Sequence, residues 1–330
     1  MSFNTFGNIL KITTFGESHG AMLGVVLDGL QSNFPLDTAF IQQQLDRRRP
    51  GYSINTTSRK ESDSFNIVSG FFNGKTTGTP LTIIFNNTDQ QSQDYEKIKN
   101  YARPGHADLA YQVRYQNRDY RGGGRSSGRE TVCRVASGAI AMQILLSQNI
   151  TISSKIVSIK GKKNLSEKEY EQLIQTYKNQ GESLGGRIQV EAENIPIGLG
   201  EPVFDKLDAL ISHAIMSIGA VKGIEFGSGF SSENLLGSEN NKIGHSGGIS
   251  GGLSDGEKLH FEVAVKPTPS VSVAQQFTDL KDMKSTKSLS LSGRHDPCIC
   301  YRILPVLESM TALVLLDCLY MVNGRKPGEN

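Results

Sequence analysis

The chain has 330 residues, enough for a large buried core, and its 35 Lys and Arg side chains nearly balance 33 Asp and Glu. A net charge of +2 provides no field that would draw the whole chain to nucleic acid or to a membrane surface. The first ten residues have neither the basic nor the apolar segment of a secretory signal.

Hydrophobic periodicity predicts a mixture of strands and helices. In chain order, we expect a strand at 8–14, helices at 36–49, 131–148 and 166–178, a strand at 187–193, a helix at 203–217, and strands at 221–226 and 259–265. Ser166-x-x-Glu169 is a helix-start pattern, and Pro50 ends the helix at 36–49. Strands and crossover helices do not alternate strictly, which favours an α+β fold with antiparallel sheet over a doubly wound parallel sheet.

The most apolar run, 303–322, is broken by Pro305, Glu308 and Asp317, so it is a poor candidate for a membrane span. Its helical spacing predicts a helix that is buried either in the core or in a subunit interface. The four cysteines lack the usual zinc-site spacing, and no metal-binding histidine pattern occurs. We expect free buried thiols, a reducing cytoplasmic compartment and no protein-bound metal.

Arginine is concentrated next to clustered glycines. Between residues 101 and 154 there is no lysine and all seven of the Lys or Arg positions are arginine, and a second cluster, Arg47 to Arg49, precedes Pro50. Arginine is preferred over lysine where a planar group must bind carboxylate or phosphate at two points. We therefore expect one or more multiply charged anionic ligands. For any single arginine, an ion pair with Asp or Glu is the alternative.

The segment 119–130, Asp-Tyr-Arg-Gly-Gly-Gly-Arg-Ser-Ser-Gly-Arg-Glu, predicts an anion-binding loop. Ser127-x-x-Glu130 has the pattern of a capping box at the start of a helix, and helix N-termini bind phosphate. The three glycines allow close backbone approach, while Arg121, Arg125 and Arg129 add positive charge. A flexible loop followed by an ordinary helix cap is the alternative.

Three histidines, His19, His106 and His295, lie in glycine-flanked loops near arginines. Such a histidine can donate a proton near neutral pH, so each is a candidate acid as well as a candidate structural residue. For His213, in a predicted helix, and His260, in a predicted strand, the structural role is favoured.

Eight segments, in order between residues 13 and 298, resemble the chorismate synthase family. They are Thr-Thr-Phe-Gly-Glu-Ser-His-Gly at 13–20, Asp-Arg-Arg-Arg-Pro-Gly at 46–51, Asn-Thr-Asp-Gln-Gln-Ser-Gln-Asp-Tyr at 87–95, Arg-Pro-Gly-His-Ala-Asp at 103–108, Asp-Tyr-Arg-Gly-Gly-Gly-Arg-Ser-Ser at 119–127, Gly-Glu-Pro-Val-Phe-Asp at 200–205, Lys-Pro-Thr at 266–268 and Gly-Arg-His-Asp-Pro-Cys at 293–298. One such segment would be weak evidence, whereas eight in order are specific.

The resemblance implies a lyase that eliminates phosphate from 5-enolpyruvylshikimate 3-phosphate and depends on reduced FMN without net redox change. It also implies a single domain over residues 1–330, folded as a β-α-β sandwich with antiparallel sheets flanked by helices. A homotetramer is expected. NADPH is a possible reductant and an external flavin reductase a possible partner; no nucleic-acid or membrane partner is expected.

The resemblance also implies roles for particular residues. His19 would protonate the leaving phosphate, His106 would protonate the reduced flavin, and Asp296 would be an acid near the flavin. Substrate or nucleotide binding would fall on Arg48, Arg49, Arg103 and Arg129. FMN binding would fall on Arg125, Ser126, Ser127, Gly219, Ala220, Gly251, Lys266, Pro267, Thr268, Pro269, Ser270 and Arg294.

The sequence departs from the family pattern in a few places. Ile54 stands where many relatives have an arginine, which puts a nicotinamide contact there in doubt. The loop before His245 is shorter than usual, which could alter closure over the site. Two other functions remain open at this stage: an NADPH-dependent FMN reductase, and an RNA-binding module that uses the Arg-Gly stretch. Steep salt dependence without flavin dependence would mark the second.

Overall fold

The structure is a computed structural model, and it describes residues 3–49, 62–87, 96, 98–291 and 296–324. The strands are β1 Thr5–Phe6, β2 Lys11–Gly16, β3 Met22–Asp28, β4 Asn66–Ser69, β5 Phe71–Phe72, β6 Lys75–Thr76, β7 Leu81–Asn86, β8 Tyr101–Ala102, β9 Thr151–Ile159, β10 Lys162–Lys163, β11 Gly186–Glu193, β12 Val221–Phe226, β13 Ile249–Ser250, β14 Leu253–Ser254, β15 Leu259–Val265, β16 Gln275–Asp279 and β17 Thr286–Leu289. The helices are α1 Thr38–Arg48, α2 Asp108–Tyr115, α3 Thr131–Leu146, α4 Glu167–Asn179, α5 Leu207–Met216, α6 Gly237–Asn240 and α7 Cys300–Asn323.

Two five-stranded antiparallel sheets form the outer layers of the fold. The first has the order β1-β2-β3-β7-β4 and the second β10-β9-β11-β15-β12. Alternate residues of their central strands are buried, as in β15, where Leu259, Phe261 and Val263 are buried and His260 and Glu262 are less so. Because successive side chains of a strand point to opposite faces, each sheet buries one face.

Helices fill the space between the sheets. Helix α3 contacts β2 and β3 of the first sheet and β9 of the second, while α7 contacts β9 and β11. The two helices approach closely at Gly138, where an added Cβ would lie 2.2 Å from the Cβ of Ser309. The α+β fold and the layered sheet-helix-sheet arrangement expected from the sequence are confirmed.

Helix α7 is the predicted apolar C-terminal helix, and it is buried within the chain itself. Among the residues that the structure describes, α7 alone is long and apolar enough to cross a membrane, but 89% of its most apolar window is buried inside the protein. Its charged residues are used internally: Glu308 pairs with Arg47, and Asp317 accepts three backbone hydrogen bonds. We interpret α7 as a core helix. All four cysteines are free and buried, as expected.

Several predicted elements have nearly the expected bounds. Strands β12 and β15 match them, β11 and α3 begin or end within two residues, and α4 begins behind a capping box formed by Ser166 and Glu169. These elements have strong local patterns, so local sequence was sufficient to place them.

Two predicted elements begin three or more residues later than expected, whereas α1 begins only two residues late, at Thr38. The strand predicted at 8–14 begins only at Lys11, because the backbone N–H groups of Asn8, Ile9 and Leu10 each donate over 2.8 Å to the carboxylate of Asp317 rather than to another strand.

The helix predicted at 203–217 begins at Leu207. The preceding residues form a tight loop, in which the backbone N–H of Glu201 donates over 2.8 Å to the carbonyl oxygen of Asp205. This bond runs from an earlier N–H to a later carbonyl, the reverse of the direction in an α-helix, so the stretch is a turn and the helix begins after it.

Candidate functional site

His19 lies in a turn that follows strand β2. The turn is closed by a 3.0 Å hydrogen bond from the N–H of Gly20 to the carbonyl of Glu17, and the side chain of His19 is buried. The glycine-rich loop packs against this imidazole: a Cβ added to Gly122 would lie 2.1 Å from Nδ1 of His19. Only glycine leaves room for the ring at this position, so the glycine run serves to bring the loop next to His19.

Arg125 ties the same loop to the end of β2. Its guanidinium donates to the hydroxyl of Thr14 over 2.6 Å and to the carbonyl of Gly16 over 3.1 Å. A guanidinium has five N–H groups, so these bonds do not exhaust its capacity for an anion. Arg125 therefore holds the loop in place as well as being a candidate cofactor ligand.

The capping box predicted for Ser127 and Glu130 is wrong in one half. Ser127 does cap a short 3-10 helix, Gly128–Glu130, by accepting from the N–H of Arg129 over 3.3 Å. Glu130 does not return to the Ser127 backbone: its carboxylate accepts from Arg134 over 2.9 Å and from Thr14 over 3.1 Å. A charge-assisted bond to a guanidinium is stronger than one to a neutral amide, and the α-helix begins at Thr131 instead.

A buried arrangement of charges lies behind the loop. Asp63 accepts a hydrogen bond from Arg48 on one carboxylate oxygen and from Arg129 on the other. Arg48 is 1% exposed and Asp63 2% exposed. Burial alone raises the pKa of Asp63, but the two guanidinium groups outweigh it and lower that pKa. Two cations and one anion leave a net positive charge in a region with little water.

Arg48 is buried over almost its whole side chain. Burial lowers the pKa of its guanidinium, and its Nε is buried without a hydrogen-bond partner among the residues that the structure describes. Arg49, the next residue, instead lies at the end of α1 and pairs with Asp46 over 3.4 Å at a partly exposed position. The structure thus places Arg48 and Arg129 together and leaves Arg49 outside their cluster.

His106 belongs to a second charged cluster. Its Nδ1 lies 2.9 Å from Oδ1 of Asp108, and that carboxylate also accepts from Arg103 over 2.7 Å and from Arg118 over 3.2 Å. Burial alone raises the pKa of Asp108, but hydrogen bonds from Arg103 and His106 hold it well below its usual range. Nδ1 of His106 lies within hydrogen-bond distance of both Asp108 and the guanidinium of Arg103.

Residues expected to bind the cofactor meet next to His106. The N–H of Lys266 donates over 2.9 Å to the carbonyl of Ala220, and its Nζ donates over 2.8 Å to the carbonyl of Gly105, one residue before His106. A Cβ on Gly219 would have the carbonyl oxygen of Ser126 as its nearest neighbour, at 4.0 Å. Segments 126–127, 219–220 and 266–270 are therefore connected through these contacts.

Asp296 connects this region to Arg48. Its backbone carbonyl accepts from the hydroxyl of Thr268 over 2.8 Å, and its carboxylate pairs with Arg302. Arg302 in turn donates through Nε to the carbonyl of Arg48 over 3.1 Å. Pro267 packs next to Gly185, and Arg294 and His295 lie outside the described residues.

Gly251 lies apart from the other expected cofactor residues of the same chain. It is in the turn between β13 and β14, and the adjacent Gly252 accepts from the N–H of Leu207 at the beginning of α5. Gly219 and Ala220 follow the other end of α5, roughly 15 Å away at the usual rise of 1.5 Å per residue.

Sequence reasoning missed Asp63, Asn87 and Arg302 as members of this network. Asp63 and Arg302 are single charged residues without a local pattern, and their partners are distant in the chain. Asn87 opens one of the family-like segments, which was the available indication.

A cavity of about 550 Å³ lies elsewhere, between residues 8–9, the loop 201–205 and the end of α7. Its lining includes none of the histidines or arginines above, so we locate the candidate site at the charged clusters. Among the described residues, no group of three or more His, Cys, Asp or Glu side chains could hold a metal ion.

The chain is similar to known proteins over nearly its whole length. The family model for chorismate synthase matches residues 10–320. The chain is 46% identical over 343 residues to chorismate synthase of Maridesulfovibrio salexigens, covering 96% of this chain and 97% of that protein. It is 46% identical over 367 residues to chorismate synthase of Methanococcus aeolicus, covering 97% and 98%. A crystal structure of chorismate synthase superposes with a TM-score of 0.76 at 29% identity, covering 96% of this chain and 94% of that one. The chain therefore belongs to the chorismate synthase family, a family of lyases.

Proposed function

We propose that this protein eliminates phosphate from 5-enolpyruvylshikimate 3-phosphate to give chorismate, in an anti 1,4-elimination that requires reduced FMN and has no net redox change. The observation that carries the proposal is the buried net positive charge at Arg48, Asp63 and Arg129, close to the His19 turn. The substrate carries a phosphate and two carboxylates, and arginine binds such groups at two points.

The chain's own residues divide into anion binders and proton carriers. Arg48 and Arg129 would bind substrate anions from inside the cluster, Arg103 from the neighbouring one, and Arg49 from its edge. His19, enclosed by the glycine loop, would hold the proton that the leaving phosphate receives. A phosphate that leaves with a proton is a better leaving group, which is the usual gain from general acid catalysis.

The residues expected to hold FMN have suitable chemistry. The hydroxyl groups of Ser127 and Ser270 and the cation of Lys266 are the donors that a phosphate group needs. The hydroxyls of Ser126 and Thr268 instead donate to the carbonyls of Gly123 and Asp296 and hold the two segments in shape. Gly219, with no described atom closer than 4.0 Å to an added Cβ, leaves room for a flat ring to approach the backbone. Reduced FMN, when bound, supplies electron density to the departing phosphate and recovers it as hydrogen leaves the ring.

His106 and Asp296 would serve the flavin side of the site. His106, facing the ionised Asp108, would hold a proton near the cofactor. Asp296 is paired with Arg302, so its carboxylate is oriented by a cation. Pro267 and Pro269 would shape the segment 266–270, and Arg294 would add a further cation.

The position of Gly251 supports an oligomer. Gly251 is at the opposite end of α5 from Ala220, so a contact of Gly251 with FMN fits a cofactor that lies between copies of the chain. We propose a homotetramer of one-domain chains, residues 1–330, acting in the cytoplasm. Flavin reduction by NADPH or by an external reductase is also part of this proposal.

The test is phosphate release from 5-enolpyruvylshikimate 3-phosphate under anaerobic conditions, with FMN reduced by dithionite. We expect release together with chorismate formation, and neither product with oxidised FMN. Steady NADPH oxidation by FMN without phosphate release would instead favour a flavin reductase. Sedimentation velocity of the same preparation tests the tetramer, and a monomer that retains full activity would contradict it.

A further inference from the structure

We propose that Asn87 is a positioning residue that fixes the position of the His19 turn relative to Arg48 and Arg129. The proposal rests on the proposed function, in which His19 is the proton donor and Arg129 binds substrate. Asn87 follows the end of β7.

The side-chain amide of Asn87 bonds both parts of the site, and its nitrogen and its oxygen each have partners. Nδ2 donates to the carbonyl of Glu17 over 3.1 Å and to the carbonyl of Gly20 over 2.8 Å. Oδ1 accepts from Nε of Arg129 over 3.1 Å. Carbonyl oxygens only accept and a guanidinium only donates, so the chemistry fixes which way the amide points.

The two carbonyls that Asn87 binds are on either side of His19. With the 3.2 Å bond from the Asn87 N–H to the carbonyl of Ala21, they anchor both ends of the turn to β7. Among the described residues, one backbone bond, from Gly20 to Glu17, closes the turn internally, so its position depends on outside contacts. Asn87 provides a contact that also bonds Arg129 on the anion-binding side.

The amide therefore completes a continuous path across the site. Arg48 and Arg129 share Asp63, Arg129 binds Asn87, and Asn87 binds the turn that carries His19. Proton transfer to a leaving group needs a heavy-atom distance of roughly 2.6–3.2 Å in a productive pose. A small displacement of the turn relative to the bound anion would remove that geometry without removing either group.

The variant Asn87→Asp distinguishes the bond to Arg129 from the bonds to the two carbonyls of the turn. An aspartate keeps an acceptor for Arg129, as a charge-assisted bond, but it has no N–H for the two carbonyls and repels their oxygens. Asn87→Ala removes both sets of bonds. The matched control is Asn194→Asp: Asn194 is exposed, far from the arginines in sequence, and donates through its amide to the carbonyl of Asn149 over 2.9 Å.

The experiment measures kcat and KM for the three variants with reduced FMN, together with the imidazole NMR resonance of His19 in the resting protein. For Asn87→Asp we expect kcat to fall about 10²-fold, the size of effect that a misplacement near 1 Å can cause, while KM changes little. The His19 resonance should move in both Asn87 variants and stay in place in Asn194→Asp. Asn87→Ala should also raise KM, because Arg129 loses a partner.

Two results would overturn the proposal: a wild-type kcat in Asn87→Asp, or a reduced kcat with an unmoved His19 resonance. The resonance is read without substrate or cofactor, so it tests the position of His19 even if the wild-type protein releases no phosphate. In that case the proposed function fails, whereas a moved resonance would still support the role of Asn87 in placing the turn.

Discussion

Arg48 and Asp63 form an ion pair in which both side chains are almost completely buried, at the end of α1. Asp63 also neutralises Arg129, so one carboxylate serves two guanidinium groups. Asp63 has φ of +48°, a conformation that asparagine tolerates as well as aspartate does. Asp63→Asn therefore changes the charge with little change in shape or backbone preference.

We expect Asp63→Asn to lower the free energy of unfolding by about 3–5 kcal/mol, because it leaves buried cations without a compensating charge. Urea denaturation of both proteins measures the difference. Asp28→Asn, at an exposed position, is the control and should be close to wild type. An equal loss of unfolding free energy in both variants would show that burial of the ion pair does not contribute to the effect.

Acid stability should depend on Asp108. Its folded-state pKa is held below the ordinary value of about 4, so as pH falls through about 4 the unfolded state takes up a proton and the folded carboxylate does not. The stabilisation from Asp108 is therefore complete at neutral pH and declines below about pH 4. Denaturant titrations should show a constant difference in the free energy of unfolding between wild type and Asp108→Asn near neutrality. In acid, this difference should become smaller. If the difference in the free energy of unfolding already decreased between about pH 7 and 5, the lowered pKa of Asp108 would be contradicted.

His106→Ala should reduce turnover by about 10²-fold, as loss of a general acid or base does. Steady-state rates with reduced FMN provide the measurement. His213→Ala is the matched control, because His213 lies on α5 at an exposed position beside Phe6 and outside both charged clusters. Wild-type turnover in His106→Ala would remove His106 from the mechanism.

Arg125→Ala should weaken FMN binding by about tenfold or more, since a hydrogen bond to a charged group contributes roughly 1.5–3 kcal/mol. Quenching of flavin fluorescence measures the affinity. The bonds of Arg125 to Thr14 and Gly16 mean that thermal stability should fall as well. Arg114→Ala, exposed on α2, removes the same charge elsewhere, and it should leave FMN affinity unchanged. If both variants bind FMN like wild type, the loop is not the phosphate site.

The cysteine thiols should be unreactive in the folded protein because all four are buried, although a hydrogen bond with Cys300 lowers the pKa of Cys298. Burial raises the pKa of Cys133 and of Cys318 to about 12, and the thiolate is the reactive form. A colorimetric thiol reagent should detect none of the 4 cysteines before unfolding and all 4 after it. Ser232→Cys, at an exposed position, provides a reactive reference. Rapid native labelling of Cys133 would show that α3 opens readily.

Much of the site was predictable from residue type and order. The arginine excess indicated anionic ligands, and the glycine run indicated close approach; the structure places that run against His19, at Gly122. The association of Arg48 with Arg129 was not visible, because it depends on Asp63, which has no pattern of its own. Gly251 shows the opposite case: a residue that belongs with the others by resemblance lies at the far end of α5 in the same chain.

The sequence by itself determined the fold class, the bounds of β12 and β15, the capped start of α4 and the family. Those features depend on periodicity, capping and motif order, which are properties of neighbouring residues. Tertiary structure decided the late start of β2, the partners of Glu130, and the position of Asn87 between Arg129 and the His19 turn. In each case a buried polar group must be hydrogen-bonded, and its partner comes from a distant part of the chain. Local periodicity carries no information about such a partner.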